Sequence, residues 1–301
     1  NAGVENSTLT SAGDVTLDAE NTSTIKAEIL AESASLGGGG TTGVGASIGA
    51  AVARNLIGYD LDGYRVPSEV QAYVQDSSIS AGGNLSQTAI ANETIDALVA
   101  AGSAAVAAAG TTGVAASGSG VSATNKVGTL VNASIDGDGT TGISADTVTL
   151  TAHDTSSIDA DAGAASLAAS FAGTAAVSLS IGVALAENEI SNEVEAYVKN
   201  ADNGLTTSVG DVRLDADSSA TIDAIAAAAS ASAAIAGTAG IALSGAGADA
   251  TNIILTKTNA FVENSVLDSA GHVDLDAANQ STINAKILTA SAALAGGGTA
   301  G

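Results

Sequence analysis

The chain has 301 residues, 8 Lys plus Arg against 32 Asp plus Glu, a formal net charge of −24, and neither cysteine nor methionine. So acidic a chain has no basic stripe to neutralise phosphates, which excludes nucleic acid as a partner and disfavours an anionic membrane surface. Absent cysteine excludes disulfide and thiolate chemistry, while 46% apolar content argues against the disorder that acidity alone would suggest.

Five elements recur in chain order. The first is an Ala-aromatic-Val segment, AYVQDSSI from Ala72, AYVKNA from Ala196 and AFVENSVL from Ala260, with AGVENSTL from Ala2 as a weaker copy. The second is GDVTLDA from Gly13, which returns as GNLSQTA from Gly83, ADTVTLTA from Ala145, GDVRLDA from Gly210 and GHVDLDA from Gly271. In it Val15, Leu17 and Ala19 alternate with Asp14, Thr16 and Asp18, the period of two that marks a half-buried strand. A polar corner follows. The third element opens with Ile25, Ile95, Ile158, Ile222 or Ile283 and runs through Ala, Ser and Gly to a Gly-Thr turn, GTTG at Gly40 and Gly110. Its alanines permit a helix, and TSTIKAEILAESASLGGGG reads as a capped one. The interleaved Ser and Gly of the other copies favour a strand. The fourth is a strand of small and β-branched residues, with Val177, Leu179, Ile181, Val183 and Leu185 on one face. The fifth is an asparagine, at 55, 125, 188 and 252.

The closing alanines Ala19, Ala89, Ala152, Ala216 and Ala277 are 70, 63, 64 and 61 residues apart, yet each of the first four precedes its asparagine by 36 (55−19, 125−89, 188−152, 252−216). A fixed internal length between variable arcs means one structural unit repeated and joined by loops. The expected fold class is all-β, a β-solenoid or β-roll of roughly 64-residue repeats with an Ala/Gly/Ser core. Its units are 1–55, 56–125 with an insertion at 56–68, 126–188, 189–252 and 253–301, in one continuous array. Equivalent Asn, Ser and Thr side chains should form ladders between strands about 4.8 Å apart. A version in which the GTTG turn joins antiparallel hairpin neighbours fits the sequence equally. Asn1–Thr41 matches Asn259–Thr299, so the array starts and stops within a unit, as a piece of a longer one would. Ala162–Ala186 and Ala224–Ala248 are uncharged and long enough to span a membrane as helices. The first unit carries Lys26, Glu28, Glu32 and Arg54 at and around the matching positions, which argues against that.

Runs such as GASIGAAVARNLIG, AENEISNEVEAYV and NIILTKTNAFVENS resemble the tandem repeats of giant bacterial surface and secreted proteins, adhesin-like and akin to filamentous-haemagglutinin or autotransporter-passenger β-solenoids. The resemblance covers essentially the whole chain. It implies an extracellular or cell-surface structural or adhesive role, with no catalytic residues. The expected function is a stiff shaft, spacer and assembly unit of a large extracellular fibre or adhesin. The expected partners are further repeats or copies of itself, or surface glycans and other cells. The alternative is a calcium-dependent, glycan-binding or ice-binding module.

Three groups of residues are candidate sites. Asp60 and Asp62, and Asp136 and Asp138, place hard oxygen ligands on Gly-bearing turns of the kind that suits calcium, the one cofactor the sequence suggests, although neither loop has EF-hand or calcium β-roll spacing. Asp96, Asp159 and Asp223 follow the recurrent isoleucine and would stack as like charges, a solvated face or a cation ladder. The insertion GYDLDGYRVPSE contributes Tyr59, Tyr64 and Arg65, residue types enriched at contact hot spots. His153 and His272 sit at unrelated stations, and no Ser-His-Asp order, HExxH, CxxC or phosphate loop is present, so no enzymatic activity is expected.

Overall fold

Residues 1–300 are described by a computed structural model in which strands, turns and loops account for every residue and no helix forms among them. The first coil consists of β1 (Ala2–Glu5), β2 (Thr8–Ser11), β3 (Val15–Asn21), β4 (Thr24–Gly39) and β5 (Thr42–Ile57). The second is β6 (Ser68–Gln75), β7 (Ser78–Ala81), β8 (Leu85–Ala91), β9 (Thr94–Ala109) and β10 (Thr112–Val127). The third is β11 (Thr129–Asp136), β12 (Ile143–Ala145), β13 (Val148–Asp154), β14 (Ser157–Ala172) and β15 (Ala175–Ile190). The fourth is β16 (Glu193–Lys199), β17 (Leu205–Thr207), β18 (Val212–Ser218), β19 (Thr221–Ala236) and β20 (Ala239–Ile254). A fifth begins with β21 (Lys257–Glu263), β22 (Leu267–Asp268), β23 (Val273–Asn279) and β24 (Thr282–Gly296). Each strand pairs in parallel with its counterparts in the adjacent coils, giving five stacked sheets, β1-β6-β11-β16-β21 and its four analogues. This is a parallel β-solenoid, and the ambiguous third element is strand in every copy.

The three short sheets enclose an apolar core. Val15, Leu17 and Ala19 point inward, as the period of two requires, and stack on Leu85, Val148, Leu150, Val212 and Leu214, facing Val70, Val131 and Val194 across the interior. The chain passes from the first sheet to the second through a left-handed residue in each coil: Asn6, Asp76, Gly137, Asn200 and Asn264 all have φ between 45° and 85°. Asn, Asp and Gly are the residues that tolerate this region, so the corner is written in residue choice.

The two long sheets leave this prism together as a two-layer arm. Ile25, Ile95, Ile158 and Ile222 pack with Ile57, Val127, Ile190 and Ile254 at its root. Beyond them the layers meet almost entirely through Ala, Ser and Gly, with Ile29, Val99 and Val121 the larger exceptions. Close approach demands this. A side chain at Gly45 would overlap the Val106 carbonyl, and a Cβ on Gly182 would lie 2.6 Å from the Ala229 carbonyl oxygen. Serine hydroxyls bridge the layers in four coils, Ser33 to Ser47, Ser103 to Ser117, Ser166 to Ser180 and Ser230 to Ser244, at 2.6–2.7 Å and always 14 residues apart.

The hairpin alternative is not the one adopted. Thr42 pairs with Thr112 of the next coil, not with β4, and the Gly-Thr turn is an arch between two sheets whose amides also bond to the next coil. Parallel ladders to neighbouring coils already use the backbone groups of both strands, so the strands meet through side chains instead. The conserved 36-residue interval is thus the third short strand, the polar corner and the arm; 16-residue long strands recur in every complete coil.

Candidate functional site

The asparagine landmark is a buried ladder. Asn55 Nδ2 donates to Asn125 Oδ1 at 2.7 Å, Asn125 to Asn188 at 2.8 Å, and Asn188 to Asn252 at 2.8 Å. The ladder closes the arm where the second long strand re-enters the prism, and each amide supplies one donor and one acceptor along the stack.

Beside it lies a buried acidic network, in what the sequence alone presents as a polar corner. Glu93 and Asp154 are both fully buried. Asn21 Nδ2 donates to Glu93 Oε1 at 2.8 Å, Asn192 Nδ2 to Asp154 Oδ2 at 2.8 Å, and Ser218 Oγ to Asp154 at 3.2 Å. The Ser156 hydroxyl stands 3.0 Å from Glu93 Oε2 and 2.5 Å from Asp154 Oδ1. One hydroxyl hydrogen cannot serve two carboxylates, so both contacts are hydrogen bonds only when one carboxyl carries a proton. Burial pushes the Glu93 carboxyl above its ordinary range, the Ser156 hydroxyl pulls it partly back, and the Asp154 charge pushes it up again.

The folded chain therefore binds this proton more tightly than the unfolded chain does. Glu93 contributes stability that is full below an unfolded value near 4.5 and lost as pH rises through its higher folded value. Glu93→Gln should consequently melt above the parent at pH 7, with the difference closing as pH falls toward 4.5. Thermal melts at stepped pH check this, and a gap that widens on acidification would contradict it.

The calcium candidates are separated. Asp60 Oδ1 accepts hydrogen bonds from the amides of Asp62 and Tyr64 at 3.0 and 2.8 Å, folding the inserted loop on itself. Asp136 instead ends β11, at the level of the far end of β6 from that loop, and Asp138 lies just past it. Asp136 accepts from Asn200 at 2.7 Å, and Asp138, itself buried, accepts from the Gly204 amide at 2.7 Å and from Asn203 at 3.2 Å. Among the described residues no group of three or more His, Cys, Asp or Glu side chains converges as a metal site.

The second acidic group is a true row on the outer face of the arm. Lys26, Asp96, Asp159, Asp223 and Asn284 occupy successive strands in register. Lys26 and Asn284 cap the row, at 3.2 Å from Asp96 and 2.7 Å from Asp223. Partial burial and then the neighbouring carboxylates of Asp161, Asp96 and Asp223 hold the Asp159 carboxyl above its usual range.

The inserted loop runs along the stack. Tyr59 donates to Glu189 Oε1 at 3.0 Å beneath the Lys126 ammonium, which lies 5.9 Å from its ring centre. Arg65 donates to the carbonyls of Ser191 and Thr129 at 3.0 and 3.1 Å. Tyr59 and Arg65 thus staple the loop to the corners of the next two coils, whereas Tyr64 projects into solvent. The aromatic residues of the first element also stack outside the prism, Tyr197 on Phe261 at 5.0 Å between ring centres. His153 lies 3.3 Å from Asp217 on the surface, remote in sequence from His272, whose amide bonds to Asp211.

On the outer face of the arm, a shallow trough of about 680 Å³ runs across the coils over Gly102, Ala165, Ala229 and Ala290, with Glu32 at its end as the single charged group. No protein-family model matches the chain, and no curated protein or solved structure matches it either.

Proposed function

We propose that the chain is a structural repeat module of a large extracellular bacterial fibre or surface adhesin, acting as a stiff shaft and spacer. The observation that carries this reading is the unbroken register of all five sheets from coil to coil, reinforced by the buried asparagine ladder. Every added unit then lengthens a rod by about 4.8 Å without altering its cross-section. The arm adds stiffness, because bending the stack would shear two layers held at glycine-to-carbonyl distance. The acidic surface suits an environment rich in cations. Electron microscopy of the native material is the test. Thin rods support the reading, and isolated compact particles would count decisively against it.

A calcium-dependent variant of this reading draws on the row of Asp96, Asp159 and Asp223, where three adjacent carboxylates on one face would gain from a screening cation. Specific binding at 100 times the dissociation constant raises stability by about 2.7 kcal/mol. A melting temperature that rises with millimolar calcium and falls again in EDTA supports this variant. An unchanged melt in EDTA sinks it.

A further inference from the structure

The second long sheet, β5-β10-β15-β20, turns its larger side chains away from the arm. Val44, Ile48 and Val52 in the first coil and Val177, Leu179, Ile181, Val183 and Leu185 in the third project from the outer face, while Ser, Ala and Gly fill the inner one. The second and fourth coils carry glycine at the same level. Gly118 pairs in register with Ile48 and Ile181, and Gly245 with Ile181; Gly120 pairs with Ala50 and Val183, and Gly247 with Val183. At this level the face is therefore corrugated, with ridges on odd coils and grooves on even ones, while nearer the tip of the arm Val114, Ile241 and Leu243 keep the even coils apolar.

The fold does not need those four glycines. A Cβ built on Gly118, Gly120, Gly245 or Gly247 meets no atom within 4 Å, and none of them has a positive φ. The inner-face glycines Gly43, Gly45 and Gly49 are the opposite case, each blocked by a carbonyl of the facing layer. Glycine in a strand interior sacrifices stability and leaves room for something to approach the backbone closely. From this we infer that the outer face of β5-β10-β15-β20 docks on the same face of a second copy of the chain.

The corrugation selects the arrangement. A two-fold axis lying in the interface along the strands reverses the order of coils, so the first coil faces the fourth and the second faces the third. Ridges then meet grooves at this level: Ile48 enters at the partner's Gly245, and Ile181 at the partner's Gly118, while nearer the tip Val44 meets the partner's Ile241 and Val177 the partner's Val114. At the base of the arm, Arg54 comes beside the partner's Asp249. An axis along the stack would set ridge on ridge. Four strands about 4.8 Å apart and some 11 residues of apolar length at about 3.3 Å each give roughly 700 Å² per copy. That approaches the roughly 800 Å² per partner of a standard stable interface. Each copy carries a net charge of −24, so pairing should strengthen as salt screens the repulsion.

Sedimentation velocity of the 301-residue chain across protein concentration, at low and at 0.5 M salt (roughly a 4 Å screening length), is the test. A monomer–dimer equilibrium that tightens with salt is expected. Gly118→Val with Gly245→Val should weaken dimerisation by roughly 10- to 100-fold per filled groove, with the melting temperature unchanged or raised. Gly163→Val, which also faces open space but on the opposite face of the arm, should leave the dimer intact. A chain monomeric throughout, or a double variant that still dimerises like the parent, overturns the inference. So does binding to phosphatidylcholine vesicles that the double variant abolishes, since the face would then serve lipid. The pairing is independent of the shaft reading: monomeric rods in the microscope would retain the shaft and remove the dimer.

Discussion

Asn125→Ala is expected to lower stability by about 2–5 kcal/mol, because it strands two buried partners at once and each unsatisfied buried polar group costs about 1–3 kcal/mol. Asn125 is the second rung of the ladder, accepting from Asn55 and donating to Asn188. Its removal leaves the Asn55 amide hydrogens and the Asn188 carbonyl oxygen facing an interior that has no other partner for them. Asn252→Ala provides the internal comparison. It stands at the ladder's end and accepts a single bond, from Asn188, so its loss should cost about half as much. Urea denaturation of the two variants measures the difference. Equal losses would mean that the rungs contribute through packing and not through the relay of amide to amide. In a stacked array the damage should also be local, and hydrogen exchange should rise first in the second and third coils.

Gln87→Leu should have the opposite sign, raising stability by roughly 2–4 kcal/mol. Gln87 lies fully buried in the short-sheet core, in the row occupied by Leu17, Leu150, Leu214 and Leu275 in the other coils. Neither its amide nitrogen nor its amide oxygen has a partner in the protein. Burying an unpartnered amide costs about 1–3 kcal/mol, and a buried leucine in its place contributes a further 1.5–3 kcal/mol of transfer free energy, less what the Gln methylenes already supply. The exchange nearly conserves volume, and the row shows that leucine fits. Thermal melting should move upward by about 2–4 °C for each kcal/mol gained. A lower melting temperature would mean that the amide has a partner from outside the chain, and would turn this position from a defect into a site.

Much of the fold was legible because its signals are local or periodic. The alternation in GDVTLDA placed Val15, Leu17 and Ala19 inward, and the constant 36-residue interval isolated the rigid part of the unit. The small residues of the third and fourth elements indicated two closely opposed layers. What escaped depends on which side of the coil is inside, and that is settled by distant strands. Val177, Leu179 and Ile181 look like core, yet Leu179 and Ile181 are exposed and Val177 is only half-buried, because their inward neighbours Ser178, Ser180 and Gly182 are what the facing layer admits. Glu93 and Asp154 sit in corners whose composition reads as solvated turn, yet the corner folds beneath the start of the next coil. The hairpin and the arch are indistinguishable in sequence, since both need the same Gly-Thr turn. The constant 14-residue spacing of the bridging serines was a visible signal for the two layers that the repeat alignment alone did not bring out.

The stacking interval also governs how such a chain acquires its structure. Every ladder joins a residue to its counterpart 61 to 70 positions away, whether in the first coil or the last. The entropy lost in closing each coil is therefore nearly constant, since loop-closure cost varies only logarithmically with length. The first closure, with no template to receive it, is the slow event. Each later one adds to an existing edge and is rewarded immediately by five ladders. Folding of this molecule should thus resemble zippering outward from one nucleus, with a time per coil that does not lengthen as the array grows, unlike globular β proteins whose pairings span an increasing fraction of the chain.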